Sequence, residues 1–272
     1  MATISPDSTV ISTSERMVNS RPAVQYRFVR PSARMIGLLG SILSIAILPG
    51  CDGHSEPEVV PQARDEGSAT DGRPAVRVVF VGTSLTEGYG LSGPDDAYPA
   101  RLQALADSAG WPVRIVNAGV SGETSAGALA RMDWILSRPA DIVALEVGAN
   151  DGLRGLDPSE LAANLEAIVD RVTDRLPDAS ILLLTMQAPP NMGSEYTERF
   201  RDAYRGFETD PRVAFGPFLL DGVAGVRDLN QADGIHPTAE GHRRMAGVVW
   251  EVLGPLLEDV LEDRGIHHVP RP

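Results

Sequence analysis

The run Val76-Arg77-Val78-Val79-Phe80-Val81-Gly82 opens the globular part of the chain and is almost continuously apolar up to its final glycine. Such a run is typical of a strand that is buried on both faces of a sheet. Similar runs follow at residues 113–116, 142–145, 181–184 and, more weakly, 213–215. Helical patterns separate these runs. The alternation predicts an α/β fold of three layers, αβα, with a central parallel sheet of about five strands.

The chain before this run has a different composition. A segment with several arginines precedes the apolar residues 35–48, a stretch shorter than the roughly 20 residues of a membrane span. A basic flank and a short apolar stretch are typical of a secretory signal. Residues 48–51 resemble a bacterial lipobox in which Cys51 would carry the lipid, although Pro49 is atypical there. An uncleaved signal anchor, or an ordinary signal with an incidental cysteine, is the alternative.

These features divide the chain into four parts and predict an exported, periplasmic protein anchored to a membrane as a lipoprotein. Residues 1–50 are interpreted as a lipoprotein-type signal peptide and residues 51–74 as a flexible tether. Residues 75–265 form one globular domain, and residues 266–272 form a tail. Met17 is an alternative start of translation, because the region before the apolar stretch is long for a signal.

The charge and the cysteine content exclude several classes of protein. The formal net charge is −13 and every basic residue is arginine. A negative surface argues against nucleic-acid binding, which needs clustered cations, and disfavours strongly anionic substrates. Cys51 is the only cysteine, so no disulfide can form within the chain.

Four short polar segments stand out, and three of them directly follow a predicted strand. In a parallel sheet the carboxyl ends of the strands form the usual place for an active site, so these segments should meet there. They are Gly82-Thr83-Ser84-Leu85, the segment from Asn117 to Thr124, Gly148-Ala149-Asn150-Asp151, and Asp233-Gly234-Ile235-His236-Pro237.

Together the four segments contain the groups that acyl transfer requires. Ser84 is the candidate nucleophile, His236 the candidate base, and Asp233 can orient the imidazole. Gly122, Asn150 and Ser84 itself can donate hydrogen bonds to an oxyanion. Each group also has a simpler interpretation when taken alone. Ser84 can cap a helix, the carboxylate and imidazole can form a solvated loop pair, and the asparagine and glycine can serve turns.

The same positions carry a resemblance to the SGNH (GDSL-type) hydrolase superfamily. Ser84, Gly122, Asn150 and His236 match its four block residues, and residues 147–155 are similar to the bacterial arylesterase, lysophospholipase L1 and thioesterase I group. The family's usual aspartate in G-D-S-L is Thr83 here. The resemblance implies an SGNH, flavodoxin-like fold, and no metal or organic cofactor. It also implies a substrate-side loop that includes Pro190, Asn191 and Met192.

The sequence therefore predicts a serine esterase that hydrolyses small-molecule or lipid esters of carboxylic acids through an acyl-serine intermediate. An acetyl-esterase or acyltransferase acting on envelope glycans is the nearest alternative. A non-catalytic envelope lipoprotein that binds acyl chains or glycans is the alternative from another class.

Overall fold

The structure is a computed structural model that describes residues 76–266, and its centre is one five-stranded sheet. All neighbouring strands are parallel, in the spatial order β2-β1-β3-β4-β5. The α/β prediction, including the five-stranded parallel sheet, is thereby confirmed. The strands are β1 (Val76–Gly82), β2 (Val113–Gly119), β3 (Ile142–Glu146), β4 (Ser180–Thr185) and β5 (Val213–Phe218).

Helices cover both faces of this sheet. α3, α5 and α6 pack together on one face, and α2 and α7 pack on the other. The seven helices of the described part are α1 (Ser84–Glu87), α2 (Tyr98–Ser108), α3 (Ser125–Ile135), α4 (Ala149–Arg154), α5 (Pro158–Arg175), α6 (Ser194–Arg205) and α7 (Ala239–Asp263). No helix within residues 76–266 is long and apolar enough to cross a membrane.

The two longest helices, α5 and α7, begin at residues of the types that commonly start a helix. The Asp157 side chain accepts the Ser159 N–H at 3.0 Å, and Pro158 occupies the first helical position of α5. The Thr238 side chain accepts the Gly241 N–H at 3.3 Å at the start of α7. The apolar stripe of α5 is buried along its length, at Leu161, Leu165, Ile168, Val169 and Val172.

Two features of the helices would not be expected from the sequence alone. A proline inside a helix usually kinks or ends it, but α7 continues past Pro255 to Asp263. The ring of Pro255 is exposed, so the helix loses one hydrogen bond without losing its packing. The helix α6 was not predicted, because its sequence is mostly charged and only Phe200, Ala203 and Tyr204 are buried.

Ile266 is the last residue that the structure describes. Ile266 donates its N–H to the Leu261 carbonyl at 2.8 Å and packs against the core, so the ordered domain includes it. The predicted signal peptide, Cys51, the tether at residues 51–74 and residues 267–272 of the predicted tail lie outside the described residues.

Candidate active site

Ser84 lies at the first turn after β1, at the carboxyl edge of the sheet. Thr83 caps α1, since its side chain accepts the Leu85 N–H at 3.3 Å. Gly82 has to be a glycine for steric reasons. A Cβ there would lie 2.1 Å from Thr86 Oγ1 and 2.6 Å from Glu146 Oε2. The chain can therefore turn sharply at this point and expose Ser84 to the pocket.

The structure brings Ser84, His236 and Asp233 together in one hydrogen-bonded line. Ser84 Oγ lies 3.0 Å from His236 Nε2, and His236 Nδ1 lies 2.7 Å from Asp233 Oδ2. The two hydrogen bonds use opposite nitrogens of one imidazole. A ring that donates from Nδ1 to the carboxylate is left with an acceptor at Nε2, facing the serine hydroxyl.

Asp233 is oriented by its own loop. Its Oδ1 accepts the N–H groups of Ile235 at 2.9 Å and His236 at 3.1 Å, and Gly234 takes a φ of 71° that suits glycine. Partial burial alone would raise the pKa of Asp233. The hydrogen bonds from the His236 ring and from the two amides together outweigh burial and lower that pKa below its ordinary value. The carboxylate therefore stays charged beside the imidazole.

The loop after β2 is fastened to the nucleophile turn and carries Gly122. Val120 donates its N–H to the Gly82 carbonyl at 2.9 Å, and Gly122 adopts a φ of 77°. Arg154 Nη2 donates to the Gly122 carbonyl at 2.7 Å. Within residues 76–266 the Gly122 and Ser84 N–H groups have no protein acceptor. Both groups are thus available to a ligand oxygen.

Asn150 is the third predicted donor, and it begins the short helix after β3. Its Nδ2 donates one hydrogen to the Glu123 carbonyl at 2.9 Å, which leaves the second amide hydrogen free. The adjacent Asp151 is buried and accepts the Ser125 N–H at 2.8 Å. These bonds join the loop of Gly122 to the residue that supplies the side-chain donor.

A mostly apolar pocket opens beside Ser84 and Asn150. The predicted substrate-side loop reaches it through Pro189, whereas Pro190, Asn191 and Met192 form the following 3₁₀ turn and do not line it. The remaining lining residues are Leu85, Ala149, Leu153, Met186, Gln187, Phe218, Leu220 and Ile235. Most of these side chains were missed in the sequence, because apolar residues at strand ends give the same signal as core residues.

Two neighbours of the hydrogen-bonded line of Ser84, His236 and Asp233 were also not predicted from the sequence. The ring of Tyr89 lies against the His236 imidazole, with centroids 4.6 Å apart. Glu146, the last residue of β3, is fully buried and accepts hydrogen bonds from the turn that carries Ser84. A carboxylate at the end of an apolar strand was the signal that could have revealed Glu146.

His242 has the packing role expected for a histidine on the last helix. It is buried, its Nδ1 accepts the Tyr98 N–H at 3.2 Å, and its ring stacks on Tyr98. Burial, with a further contribution from the Arg101 charge, lowers the pKa of His242 to about 4. Its ring is therefore neutral at physiological pH. Within residues 76–266 no group of three or more His, Cys, Asp or Glu side chains is arranged to hold a metal ion.

A parallel αβα sheet with a serine, a histidine and an aspartate in line at its carboxyl edge is an arrangement found in serine hydrolases. Residues 80–244 match the GDSL-like Lipase/Acylhydrolase family, and the chain belongs to that family. Its members act on ester bonds, and this chain is accordingly an ester hydrolase.

The proteins to which the chain is similar are named as esterases. The chain is 40% identical over 185 residues to esterase TesA of Pseudomonas aeruginosa, covering 67% of this chain and 90% of that protein. It is 33% identical over 181 residues to thioesterase 1/protease 1/lysophospholipase L1 of Escherichia coli, covering 66% and 84%. The crystal structure of the psychrotrophic esterase EstA from Pseudoalteromonas, inhibited by monoethylphosphonate, matches with a TM-score of 0.63 at 30% identity, covering 67% and 98%.

Proposed function

We propose that the protein hydrolyses carboxylic esters through an acyl intermediate on Ser84. The observation that carries the proposal is the line of contacts from Ser84 Oγ to His236 Nε2 and from His236 Nδ1 to Asp233, at 3.0 and 2.7 Å. A serine hydroxyl is a weak nucleophile until a base removes its proton. The line of contacts supplies that base and a carboxylate that fixes its orientation.

The reaction proceeds in two halves. Ser84 Oγ attacks the ester carbonyl carbon while its proton passes to His236 Nε2. The tetrahedral intermediate collapses, the alcohol leaves with that proton, and the acyl group stays on Ser84. Water then attacks the acyl-serine with His236 again as base, which releases the carboxylic acid and restores Ser84. Asp233 stabilises the imidazolium formed in each half.

Three donors support the oxyanion of both intermediates in this proposal. They are the backbone N–H groups of Ser84 and Gly122 and the free amide hydrogen of Asn150. Donors that are already fixed in place cost no reorganisation when the charge develops, which is why such groups contribute strongly to catalysis. Arg154 binds the Gly122 carbonyl, which belongs to the next peptide group, and thereby limits movement of the loop that carries the Gly122 N–H.

The pocket supports an acyl group as the part of the substrate that is bound. Its walls, such as Met186, Phe218 and Leu220, are apolar, so an acyl chain would be removed from water there. The names of the relatives, which include arylesterase and lysophospholipase, support aryl and lipid esters as substrates.

Turnover of p-nitrophenyl esters from acetyl to palmitoyl tests the proposal. If the protein hydrolyses none of the esters in this series, the proposal is contradicted.

The pH dependence tests the choice of base. Activity should fall on acidification, because a protonated His236 cannot accept the Ser84 proton. His242→Gln should keep both the activity and the pH profile, since His242 is neutral and turned toward Tyr98. The measurement is kcat/KM against pH for the wild type and for His236→Gln and His242→Gln. A loss in His242→Gln as severe as that in His236→Gln would show that the base is wrongly assigned.

We propose further that the protein is exported to the periplasm and is attached to a membrane through Cys51. Support comes from the sequence alone, where the only cysteine follows the apolar residues 35–48 by three positions. Covalent lipid on one cysteine gives the tether at residues 51–74 a fixed end. All the proposed catalytic groups lie beyond Ala75, so attachment and catalysis are separable.

Fractionation tests the attachment. Cys51→Ala should move the protein from the membrane fraction to the soluble fraction, or leave an uncleaved precursor. A chain that begins near Ala75 should be soluble and fully active, which is the matched control. Mass spectrometry of a mature chain with an unmodified Cys51 would contradict the lipid anchor and would leave the esterase proposal intact.

A further inference from the structure

We propose that Glu146 is a positioning residue whose carboxylate, by accepting hydrogen bonds from Thr83 and Thr86, holds the turn that presents Ser84 to His236. The inference rests on the proposed role of Ser84 as the nucleophile. It adds a group that touches neither substrate nor the reacting atoms and acts through the turn alone.

The contacts of Glu146 are concentrated on that turn. The Thr83 N–H donates to Oε2 at 2.7 Å, and Thr83 Oγ1 lies 3.0 Å from both carboxylate oxygens. Thr86 Oγ1 donates to Oε2 at 2.9 Å. Ser84 lies between these two threonines in the chain. Movement of the carboxylate would therefore move the backbone on both sides of the nucleophile.

Every hydrogen bond between Glu146 and the turn is donated by the turn and accepted by the carboxylate, which suits its charged form. Thr83 Oγ1 already accepts the Leu85 N–H, and the oxygen of Thr86 Oγ1 faces the Tyr98 hydroxyl at 2.8 Å. Each threonine has one hydroxyl hydrogen, which it gives to Glu146, so Tyr98 donates to Thr86. A protonated Glu146 would bring a further hydrogen without an acceptor. One of the threonine hydroxyls would then have to turn away.

Glu146 can take up a proton near neutral pH, because its burial disfavours the charged form. Burial raises the pKa of Glu146 to about 7, although the hydrogen bonds from Thr83 and Thr86 lower it in part. The family's usual aspartate in place of Thr83 would bring a second carboxyl group against Glu146. Threonine instead supplies a hydrogen-bond donor that favours the charged form.

Several other titratable and charged groups lie near Glu146. Burial, with the charge of Glu146, raises the pKa of Tyr98 and that of Tyr204 well above 10, and burial lowers the pKa of His242. Arg131 is ion-paired with Glu123 at 2.6 Å and reaches the Gly82 carbonyl at 3.4 Å. On the neighbouring α1 and α4, Glu87 bonds Ser121 and Asp151 bonds Ser125.

If Glu146 positions the turn that carries Ser84, the enzyme activity should depend on pH in a distinctive way. Glu146→Gln carries a neutral side chain at every pH, so it should behave as the wild type does when Glu146 is protonated. Its kcat at pH 8 should be about tenfold lower than that of the wild type at similar KM, because small displacements of a nucleophile are costly. Protonation of Glu146 should lower the wild-type kcat by the same factor, so the ratio of wild-type to Glu146→Gln kcat should fall toward one on acidification.

Thr83 supplies a second pair of variants in case Glu146→Gln does not fold. Thr83→Val keeps the shape but removes a donor to the carboxylate, so the pKa of Glu146 should rise and the acid limb should move to higher pH. Thr83→Ser keeps the hydroxyl donor and should leave the acid limb of the pH profile unchanged. Glu208→Gln, at an exposed loop position, is the matched control for removing a carboxylate and should behave as the wild type.

The experiment measures two rates across pH 4.5–9: turnover of p-nitrophenyl butyrate and labelling of Ser84 by a p-nitrophenyl alkylphosphonate. Near-ultraviolet circular dichroism at each pH reports folding. A ratio of wild-type to Glu146→Gln kcat that falls from about tenfold toward one on acidification, with a shifted limb in Thr83→Val, would support the proposal. A ratio that stays constant with pH, or identical limbs in Thr83→Val and Thr83→Ser, would overturn it. Labelling without ester turnover would contradict the proposed function alone, and absence of both would overturn both.

Discussion

Ser84→Ala should lower kcat for ester hydrolysis by about 10⁴–10⁶-fold while the protein stays folded. The variant has no group that can form the acyl intermediate, and His236 then has no hydroxyl to deprotonate. Ser84 is half-buried at a turn that is held by Thr83 and Gly82, so the loss of one oxygen leaves the fold unstrained. The measurement is kcat with p-nitrophenyl butyrate.

Ser108→Ala is the matched control, because Ser108 is exposed at the end of α2, before β2 begins and so at the opposite edge of the sheet. It should retain full activity. Mass spectrometry after incubation with an alkylphosphonate adds an independent result, since the wild type and Ser108→Ala should gain one adduct and Ser84→Ala none. Near wild-type turnover in a Ser84→Ala preparation free of other esterases would remove Ser84 from the mechanism.

Asn150→Ala should lower kcat by about 10²–10³-fold, or about 3–4 kcal/mol of transition-state stabilisation, with a smaller change in KM. An oxyanion donor acts on charge that exists only in the transition state, so its removal affects kcat more than substrate binding. The variant also loses the hydrogen bond from Nδ2 to the Glu123 carbonyl, which fastens the loop of Gly122. The expected loss includes both effects.

Asn150→Asp should be at least as inactive as Asn150→Ala, because a carboxylate cannot donate and repels the oxyanion. Steady-state kcat and KM for the three forms check both statements. A rise in KM with kcat unchanged would make Asn150 a substrate-binding residue instead of an oxyanion donor.

The sequence was most informative where several local signals agreed. Gly82 ends a buried strand and Ser84 begins the helix that follows, and the Asp233–His236 spacing suits a carboxylate that turns back on the imidazole. The apolar runs gave all five strands, because a parallel strand is buried on both faces and admits few polar residues. The helix caps at Asp157 and Thr238 were equally local signals.

The features of the site that were not predicted depend on contacts between segments that lie far apart in the chain. Glu146 is separated from Thr83 by 63 positions, and nothing in either segment alone indicates that they meet. Tyr89 reads as an exposed aromatic residue until its ring is found against His236. The pocket residue Phe218 ends β5, the weakest strand signal, and Leu220 lies just beyond it. Apolar residues at such positions cannot be distinguished from core residues in the sequence.

The pocket wall formed at the ends of β4 and β5 has a consequence for how such an enzyme can diversify. The proposed chemical groups come from β1, the loops after β2 and β3, and the loop before α7. Met186, Pro189, Phe218 and Leu220 come from a separate half of the sheet edge and share no hydrogen bond with them. Mutation can therefore reshape the acceptable acyl group while the hydrolytic apparatus is inherited unchanged.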